Sequence, residues 1–353
     1  MRILLLIPTL TGGGAERQLA YLESELRARG YDALAGYIYD GAGVWPDELP
    51  AHRLPQRAPW SPLQILDILR LIRAWKPDVV QTCLARMDVA GGVAAMLAGV
   101  PFVLREPNSA ASYRNFKSLL RKVVGRGAAA IVANSVDGAA YWRARRTFVI
   151  PNGVPSDAIA GAKPVARPAA GALAVYVGRL TAEKNVDVLL RAAAEVMAER
   201  ELFLILCGDG PERERLEALA ETLGIAARVQ FTGFVQSPWR YQRAADVALL
   251  LSDFEGLPNA AAECFAAGTP MVLSDISAHR ELAGDDALLV PPGDAAAAAA
   301  AIRSVLDDPA AAARRAKRAQ GRVRNWSIAR MAATHDNVYT MLTGPRPRPR
   351  KPE

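Results

Sequence analysis

Two cations stand five residues apart in Gly178-Arg179-Leu180-Thr181-Ala182-Glu183-Lys184-Asn185, where an apolar run passes into a helical one. Such a pair can grip a diphosphate, Arg179 in the fork geometry of a guanidinium and Lys184 as a point charge. A solvated polar loop would have the same composition. Further on, Ser252-Asp253-Phe254-Glu255-Gly256-Leu257-Pro258-Asn259 continues to Ala260-Ala261-Ala262-Glu263, a Glu-x7-Glu pair. Glu255 falls on a loop, and a helix starting near Pro258-Asn259 presents its free N–H groups. Glu263 lies about one turn inside that helix among Ala, Cys and Phe, where a carboxylate needs a partner. A hydroxyl-rich ligand or an internal ion pair would supply one. Near the start, Thr11-Gly12-Gly13-Gly14-Ala15-Glu16-Arg17 leads into another helix. Gly13 and Gly14 could turn backbone N–H groups toward an anion. A tight turn with Glu16 complementing the helix dipole would use the same residues. The spacing is not G-x-G-x-x-G and no acidic residue caps the second strand, which disfavours a dinucleotide site. Gly208-Asp209-Gly210-Pro211 reads as a turn with proline at a helix start.

The elements that must hold these residues alternate. Short apolar runs predict strands at 3–8, 34–39, 79–82, 102–104, 130–133 and 148–150, with helices at 15–29, 62–75 and 87–98 between them. After Pro151-Asn152-Gly153-Val154-Pro155 the composition turns to Ala, Pro and Gly until about Gly171, a linker by composition. The alternation restarts with strands at 173–177, 202–207, 229–232, 247–251, 271–273 and 287–290. Helices are expected at 186–200, 211–223, 260–267, 295–306, 309–324 and 326–342. Continuous apolar strands separated by helices indicate parallel sheets covered on both faces. The expectation is an α/β chain of two doubly wound, Rossmann-like domains with a cleft between them: 1–150, a hinge at 151–170, and 171–325, with helix 326–342 returning to the first. A basic, Pro-rich tail at 343–353 should be solvated. In open α/β sheets ligands bind beyond the carboxyl ends of the strands, where the residues above fall.

Composition narrows the classes. With 353 residues, 51% apolar and 22% charged, the chain has the make-up of a globular protein of about two domains. A net charge of +7 suits anionic small molecules or an anionic membrane surface as well as nucleic acid, though no nucleic-acid partner is expected. Cys83, Cys207 and Cys264 form neither a disulfide framework nor a zinc spacing, and a reducing cytoplasm accounts for them. The longest uncharged stretch, Val89–Leu104, is broken by Gly99 and Pro101 and is shorter than the roughly 20 residues a spanning helix needs. Arg2 ahead of Ile3–Ile7 could pass for a signal peptide, but Pro8 and the glycines after it fit a buried first strand better. No metal is expected, since the chain has no Asp-x-Asp and Asp253-Phe254-Glu255 comes nearest.

Taken in order, Gly13-Gly14-Ala15-Glu16-Arg17, Gly178-Arg179-Leu180…Lys184-Asn185, Gly208-Asp209-Gly210-Pro211, Phe231-Thr232-Gly233-Phe234 and the pair Glu255/Glu263 resemble family 4 retaining glycosyltransferases of the GT-B fold. The resemblance spans nearly the whole chain. It implies that Arg179 and Lys184 neutralise a donor diphosphate and that Glu263 holds the ribose hydroxyls. It further implies that backbone near Phe234-Val235 reads the base, while Glu255 and the Leu257-Pro258-Asn259 backbone hold the donor sugar and phosphate, with Gly178, Gly13 and Gly14 beside them. Arg179, Lys184 and Glu255 would form the catalytic set, with no cofactor beyond the nucleotide-diphosphate sugar, a UDP-sugar before a GDP-sugar. Retention would proceed by same-face attack, the leaving phosphate oxygen helping to deprotonate the acceptor.

One departure concerns the acceptor side. Many relatives carry a histidine after the third N-terminal strand, where this chain reads Val80-Gln81-Thr82-Cys83-Leu84-Ala85-Arg86-Met87-Asp88. A neutral thiol is a poor substitute for imidazole. An acceptor site using Cys83, Arg86, Asp88, Arg105, Glu106 and Asn108 follows, with surface pairing of Arg86 and Asp88 as the plain alternative. The acceptor would be a surface glycan or a lipid-linked sugar. Lys117, Arg121, Lys122 and Arg126, at near-helical spacing, could lie against the inner face of an anionic membrane or form a solvated basic face. Two rivals remain: another GT-B enzyme such as a nucleotide-sugar epimerase or a phosphorylase, and a non-catalytic nucleotide-sugar-binding partner subunit.

Overall fold

The computed structural model describes all residues except 12, 41–44, 109–115, 143–145, 169 and 345–353, together with the backbone alone at 116–117. Gly12, the side chain of Lys117 and the basic segment from 345 onward therefore lie outside the described residues. The chain forms two units: Met1–Gly153 with Ile328–Glu353, and Val154–Ser327.

In the first unit β1 (Arg2–Leu6), β2 (Asp32–Tyr37), β3 (Ala51–Arg53), β4 (Val79–Cys83), β5 (Phe102–Glu106), β6 (Ala130–Ala133) and β7 (Thr147–Val149) make a parallel sheet in the order β3-β2-β1-β4-β5-β6-β7. β1 shows why an unbroken apolar run is needed. Ile3 and Leu5 point into one core, shared with Leu19, Leu22 and Leu26 of helix Gly14–Ala28 and with Met331, Ala332, Val338 and Tyr339 of helix Ile328–Thr343. Leu4 and Leu6 point into the other, against Ile68 and Ile72 of helix Leu63–Trp75 and Ala94 of helix Ala85–Ala98. Alternate side chains thus serve opposite faces, and both faces are covered.

The second unit repeats the plan with β8 (Ala172–Val177), β9 (Leu202–Cys207), β10 (Val229–Gly233), β11 (Val247–Leu250), β12 (Met271–Ser274) and β13 (Leu288–Val290), ordered β10-β9-β8-β11-β12-β13 and all parallel. In each sheet the order reverses beside its first strand, between β1 and β4 and between β8 and β11. Such a reversal splays the connecting loops and opens a crevice at the carboxyl ends.

Some elements depart from the expected list. β3 was not foreseen, because its three residues are all exposed at the sheet edge and carry no apolar signal. The segment 151–170, read as a linker, contains the helix Ser156–Gly161, and its Ile159 is buried in the core of the second unit. Helices Val136–Trp142 and Ser277–Ala283 were also not foreseen, while helix Phe116–Gly125 lies where basic residues fall at near-helical spacing. Among the described residues no helix is long and apolar enough to cross a membrane.

Candidate active site

Two strands of the second unit, β8 and β11, deliver the charged residues. The chain leaves β8 through Gly178 and Arg179, makes a 3-10 turn at Ala182–Lys184, and enters helix Val186–Met197 after Asn185 in the left-handed conformation. The glycines around this turn answer a steric demand. A Cβ on Gly208 would lie 1.8 Å from the carbonyl oxygen of Gly178, and one on Gly210 would lie 2.2 Å from that of Leu180. Loops after β8 and β9 pack backbone against backbone, joined by Leu180 N–H donating to the Asp209 carbonyl (2.9 Å).

Arg179 then stands out in solvent, 67% exposed, with only a 3.6 Å approach to Glu183. Lys184 turns inward, and its Nζ lies 2.5 Å from Glu255 Oε1, both side chains being largely buried. Ser252 Oγ donates to the same carboxylate oxygen (2.8 Å). The loop carrying Glu255 is tied to the Lys184 turn by Asp253 N–H to the Glu183 carbonyl (2.9 Å) and by Asn185 Nδ2 to the Leu251 carbonyl (3.2 Å). Arg179, Lys184 and Glu255 are thus brought onto adjoining loops. Past Glu255, Gly256, Leu257 and Pro258 are buried, and helix Asn259–Ala267 begins with no acidic residue in its first turn. Its N-terminal N–H groups leave this corner electropositive. Glu263 is buried in the helix and accepts from Trp239 Nε1 (3.1 Å). Gly233 has a positive φ, after which Phe234 is exposed and Val235 half-buried.

Residues not singled out from sequence complete this corner. His279 is buried, and its Nδ1 lies 2.7 Å from the Ser274 carbonyl. Burial holds its pKa below the ordinary histidine value, the Ser274 carbonyl and the nearby Glu255 and Lys184 charges adding smaller effects. Ser274 Oγ in turn donates to the Ser252 carbonyl (2.5 Å). Trp239 and His279 sit in helices of only four and seven residues, too short to stand out in the sequence.

The remaining candidates belong to the first unit. Gly13 is the N-cap of helix Gly14–Ala28, and a Cβ there would meet Glu16 Oε2 at 1.9 Å. Glu16, at the third helical position, folds back over its own cap, as a capping acid does. Cys83 ends β4 as a buried thiol whose pKa burial holds high. Arg86 and Asp88 do not pair. Arg86 donates to Gln64 Oε1 (3.0 Å), the Arg57 carbonyl (3.0 Å) and the Tyr39 hydroxyl. Asp88 is fully buried, accepting from Thr82 Oγ1 (2.8 Å) and Arg121 Nε (2.6 Å), and burial lifts its pKa to about 6 against the pull of Arg121. Glu106 accepts from Arg121 Nη1 (2.5 Å), Trp142 Nε1 (3.0 Å) and the backbone N–H of half-buried Asn108 (2.9 Å). Arg105 is buried against His335 Nε2 (2.8 Å) and Asn152 Oδ1 (2.7 Å). Placing Arg121 on a basic surface face is therefore corrected: its guanidinium is fully buried between two carboxylates, which need a buried countercharge. Among the described residues no group of three His, Cys, Asp or Glu is arranged to hold a metal ion.

Comparison with known proteins follows the two units. Residues 12–158 match Glycosyltransferase Family 4, and residues 162–322 match Glycosyl transferases group 1. The lipopolysaccharide core biosynthesis glycosyltransferase LpsE of Rhizobium meliloti is 26% identical over 74% of this chain and 75% of its own. LpsD, a lipopolysaccharide core biosynthesis glycosyltransferase of the same organism, is 39% identical over 32% of this chain, and the match spans about a third of its length, 34%. A crystal structure of HepE from Anabaena, in complex with UDP and glucose, shares the fold with a TM-score of 0.84 at 22% identity, covering 96% of this chain and 99% of that one. With both units matched in order on two Rossmann-like sheets, the chain belongs to glycosyltransferase family 4, of the GT-B fold.

Proposed function

We propose that this protein transfers a sugar, with retention and without a metal, from a nucleotide-diphosphate sugar to a glycan or lipid-linked acceptor in cell-surface polysaccharide or glycolipid synthesis. A UDP-sugar is the favoured donor and a GDP-sugar the second. The carrying observation is the pairing of exposed Arg179 with inward Lys184, five residues apart, beside the N-terminus of helix Asn259–Ala267. Breaking a sugar–phosphate bond leaves a nucleoside diphosphate of growing negative charge, and preorganised cations and helix N–H groups stabilise that charge best. Lys184 is held by Glu255, so an incoming diphosphate competes with Glu255 for it. Glu255, released, is then available to the sugar hydroxyls. Buried Glu263, oriented by Trp239, suits the ribose hydroxyls. The UDP preference draws support from HepE, crystallised with UDP and with UDP-glucose. The acceptor class draws support from the lipopolysaccharide core assignment of LpsE.

A second reading, a non-catalytic nucleotide-sugar-binding subunit, is favoured by Cys83 alone, since a buried high-pKa thiol offers neither base nor strong hydrogen-bond donor. Calorimetry with UDP, GDP, ADP and CMP on the wild type and on Arg179→Ala/Lys184→Ala tests the donor site. Micromolar binding of one diphosphate, lost in the variant, supports it. No nucleotide binding by the folded wild type defeats both readings, and binding without turnover on any acceptor selects the second.

A further inference from the structure

Glu255 is held through one of its two oxygens. Lys184 Nζ and Ser252 Oγ both meet Oε1, at 2.5 and 2.8 Å, and among the described residues no hydrogen bond reaches Oε2. Ser252 is itself fixed from behind. β11 and β12 run side by side with Leu250 opposite Leu273, which brings Ser252 and Ser274 to the same end of the sheet. Both serines are fully buried, and Ser274 Oγ donates to the Ser252 carbonyl (2.5 Å). His279, also fully buried, holds Ser274 in turn, its Nδ1 lying 2.7 Å from the Ser274 carbonyl and 3.2 Å from Ser274 Oγ. The hydrogens of this chain have one arrangement. A carbonyl only accepts, so Nδ1 carries the imidazole hydrogen and the Ser274 hydroxyl spends its own on Ser252. The donors of His279, Ser274 and Ser252 thus follow one another toward Oε1, and buried hydrogen bonds in such a chain strengthen one another.

We propose that Ser252, anchored by Ser274 and His279, is the positioning residue for Glu255: it keeps Oε1 fixed, and so Oε2 aimed at the donor, after the diphosphate has drawn Lys184 away. The proposal rests on the donor-site reading above, in which Lys184 leaves Glu255 for the diphosphate. At that step Glu255 loses its countercharge in a corner where both side chains are largely buried. A buried carboxylate needs a remaining donor, and a hydroxyl on a carboxylate makes one of the stronger hydrogen bonds. Ser252 supplies it from a position with no exposed surface of its own. It therefore favours diphosphate binding without touching the diphosphate.

Calorimetric titration of the full chain with UDP, or with GDP if the wild type binds that tighter, tests this in a double-mutant cycle. Ser252→Ala should weaken binding about tenfold, the loss of one hydrogen bond to a charged group, while Ser252→Thr keeps the hydroxyl and should stay within about twofold of wild type. Ser274→Ala and His279→Leu should each show part of that loss, about threefold, and Ser274→Ala carries this arm if His279→Leu fails to fold. In a Glu255→Gln background no carboxylate is stranded, and each effect should shrink to within about twofold. A merely structural role would lower the melting temperature and leave the losses the same size in both backgrounds. Wild-type affinity in Ser252→Ala, or a loss undiminished in the Glu255→Gln background, overturns the proposal and leaves the donor-site reading standing. Binding of neither nucleotide by the folded wild type overturns both.

Discussion

Replacing Glu23 by Gln should alter how the stability of the first unit depends on pH. Glu23 lies in helix Gly14–Ala28, is fully buried, and neither carboxylate oxygen has a hydrogen-bond partner among the described residues. Burial lifts its pKa from 4.5 to about 8, with Arg27 pulling weakly the other way. A group whose folded pKa is raised favours the fold while it stays protonated. That contribution is complete below pH 4.5, declines as the unfolded chain begins to ionise, and is gone once the pH passes about 8. Each tenfold in proton affinity is worth about 1.4 kcal/mol, so the wild type should lose about 3 kcal/mol between pH 4.5 and 7, and roughly 4–5 kcal/mol by pH 9. Glutamine cannot ionise. Its buried amide adds a constant cost of about 1–3 kcal/mol, so the slope carries the test rather than the intercept. Urea denaturation from pH 5 to 9, followed by tryptophan fluorescence, is a suitable assay, since Trp45, Trp60, Trp75 and Trp142 belong to the first unit and only Trp239 and Trp326 to the second. Every other titrating group is common to both proteins, and the difference curve isolates position 23. A stability difference that stays flat across this range would refute the reasoning and mean that the carboxylate is ionised in the fold.

Arg121→Met should destabilise the first unit by about 3–5 kcal/mol at pH 7, by stranding Asp88 and Glu106 without a countercharge. The loss should shrink as the pH falls from 7 to 5 and Asp88, already raised to about 6, takes up a proton; thermal melts across that range check it. Gly208→Ala should cost the second unit about 3 kcal/mol by forcing the β8 and β9 loops apart, measured as a lowered urea midpoint. Trp239→Phe keeps an aromatic ring but removes the donor to buried Glu263, and should weaken binding of the preferred nucleotide diphosphate about tenfold by calorimetry and lower the melting temperature of the second unit. Unchanged affinity would exclude Glu263 from the donor site.

How far the chain can be read without coordinates depends on what each residue answers to. β6 and β9 begin and end where their apolar runs do, because these strands pack against apolar cores on both faces. β3 escaped because an exposed edge of three residues imposes no such demand. The turn carrying Arg179 and Lys184 and the loop carrying Glu255 were visible as charges placed after strands. Their joining, Lys184 on Glu255, is a contact 71 residues apart and has no local signature. Arg121 shows the reverse case. Its spacing with Lys122 and Arg126 matched a basic face, but the carboxylates that draw it inward stand on β5 and helix Ala85–Ala98. Burial of a charge is decided by its partners, and those are tertiary.

The return of the last helix to the first unit orders events during synthesis. Val154–Ser327 is contiguous, so the second unit has all its residues once Ser327 has emerged. The first unit waits. Until Ile328–Thr343 is made, the core face of β1 lacks Met331, Ala332, Val338 and Tyr339, Gln81 lacks the hydroxyl of Tyr339, and Arg105 lacks His335. At roughly 5–20 residues per second, translating the intervening unit leaves that face open for on the order of ten to thirty seconds. A chain still being translated therefore carries an unfinished first unit, and stalling or cleavage before Ile328 would leave the apolar residues of that face open to chaperones or to aggregation.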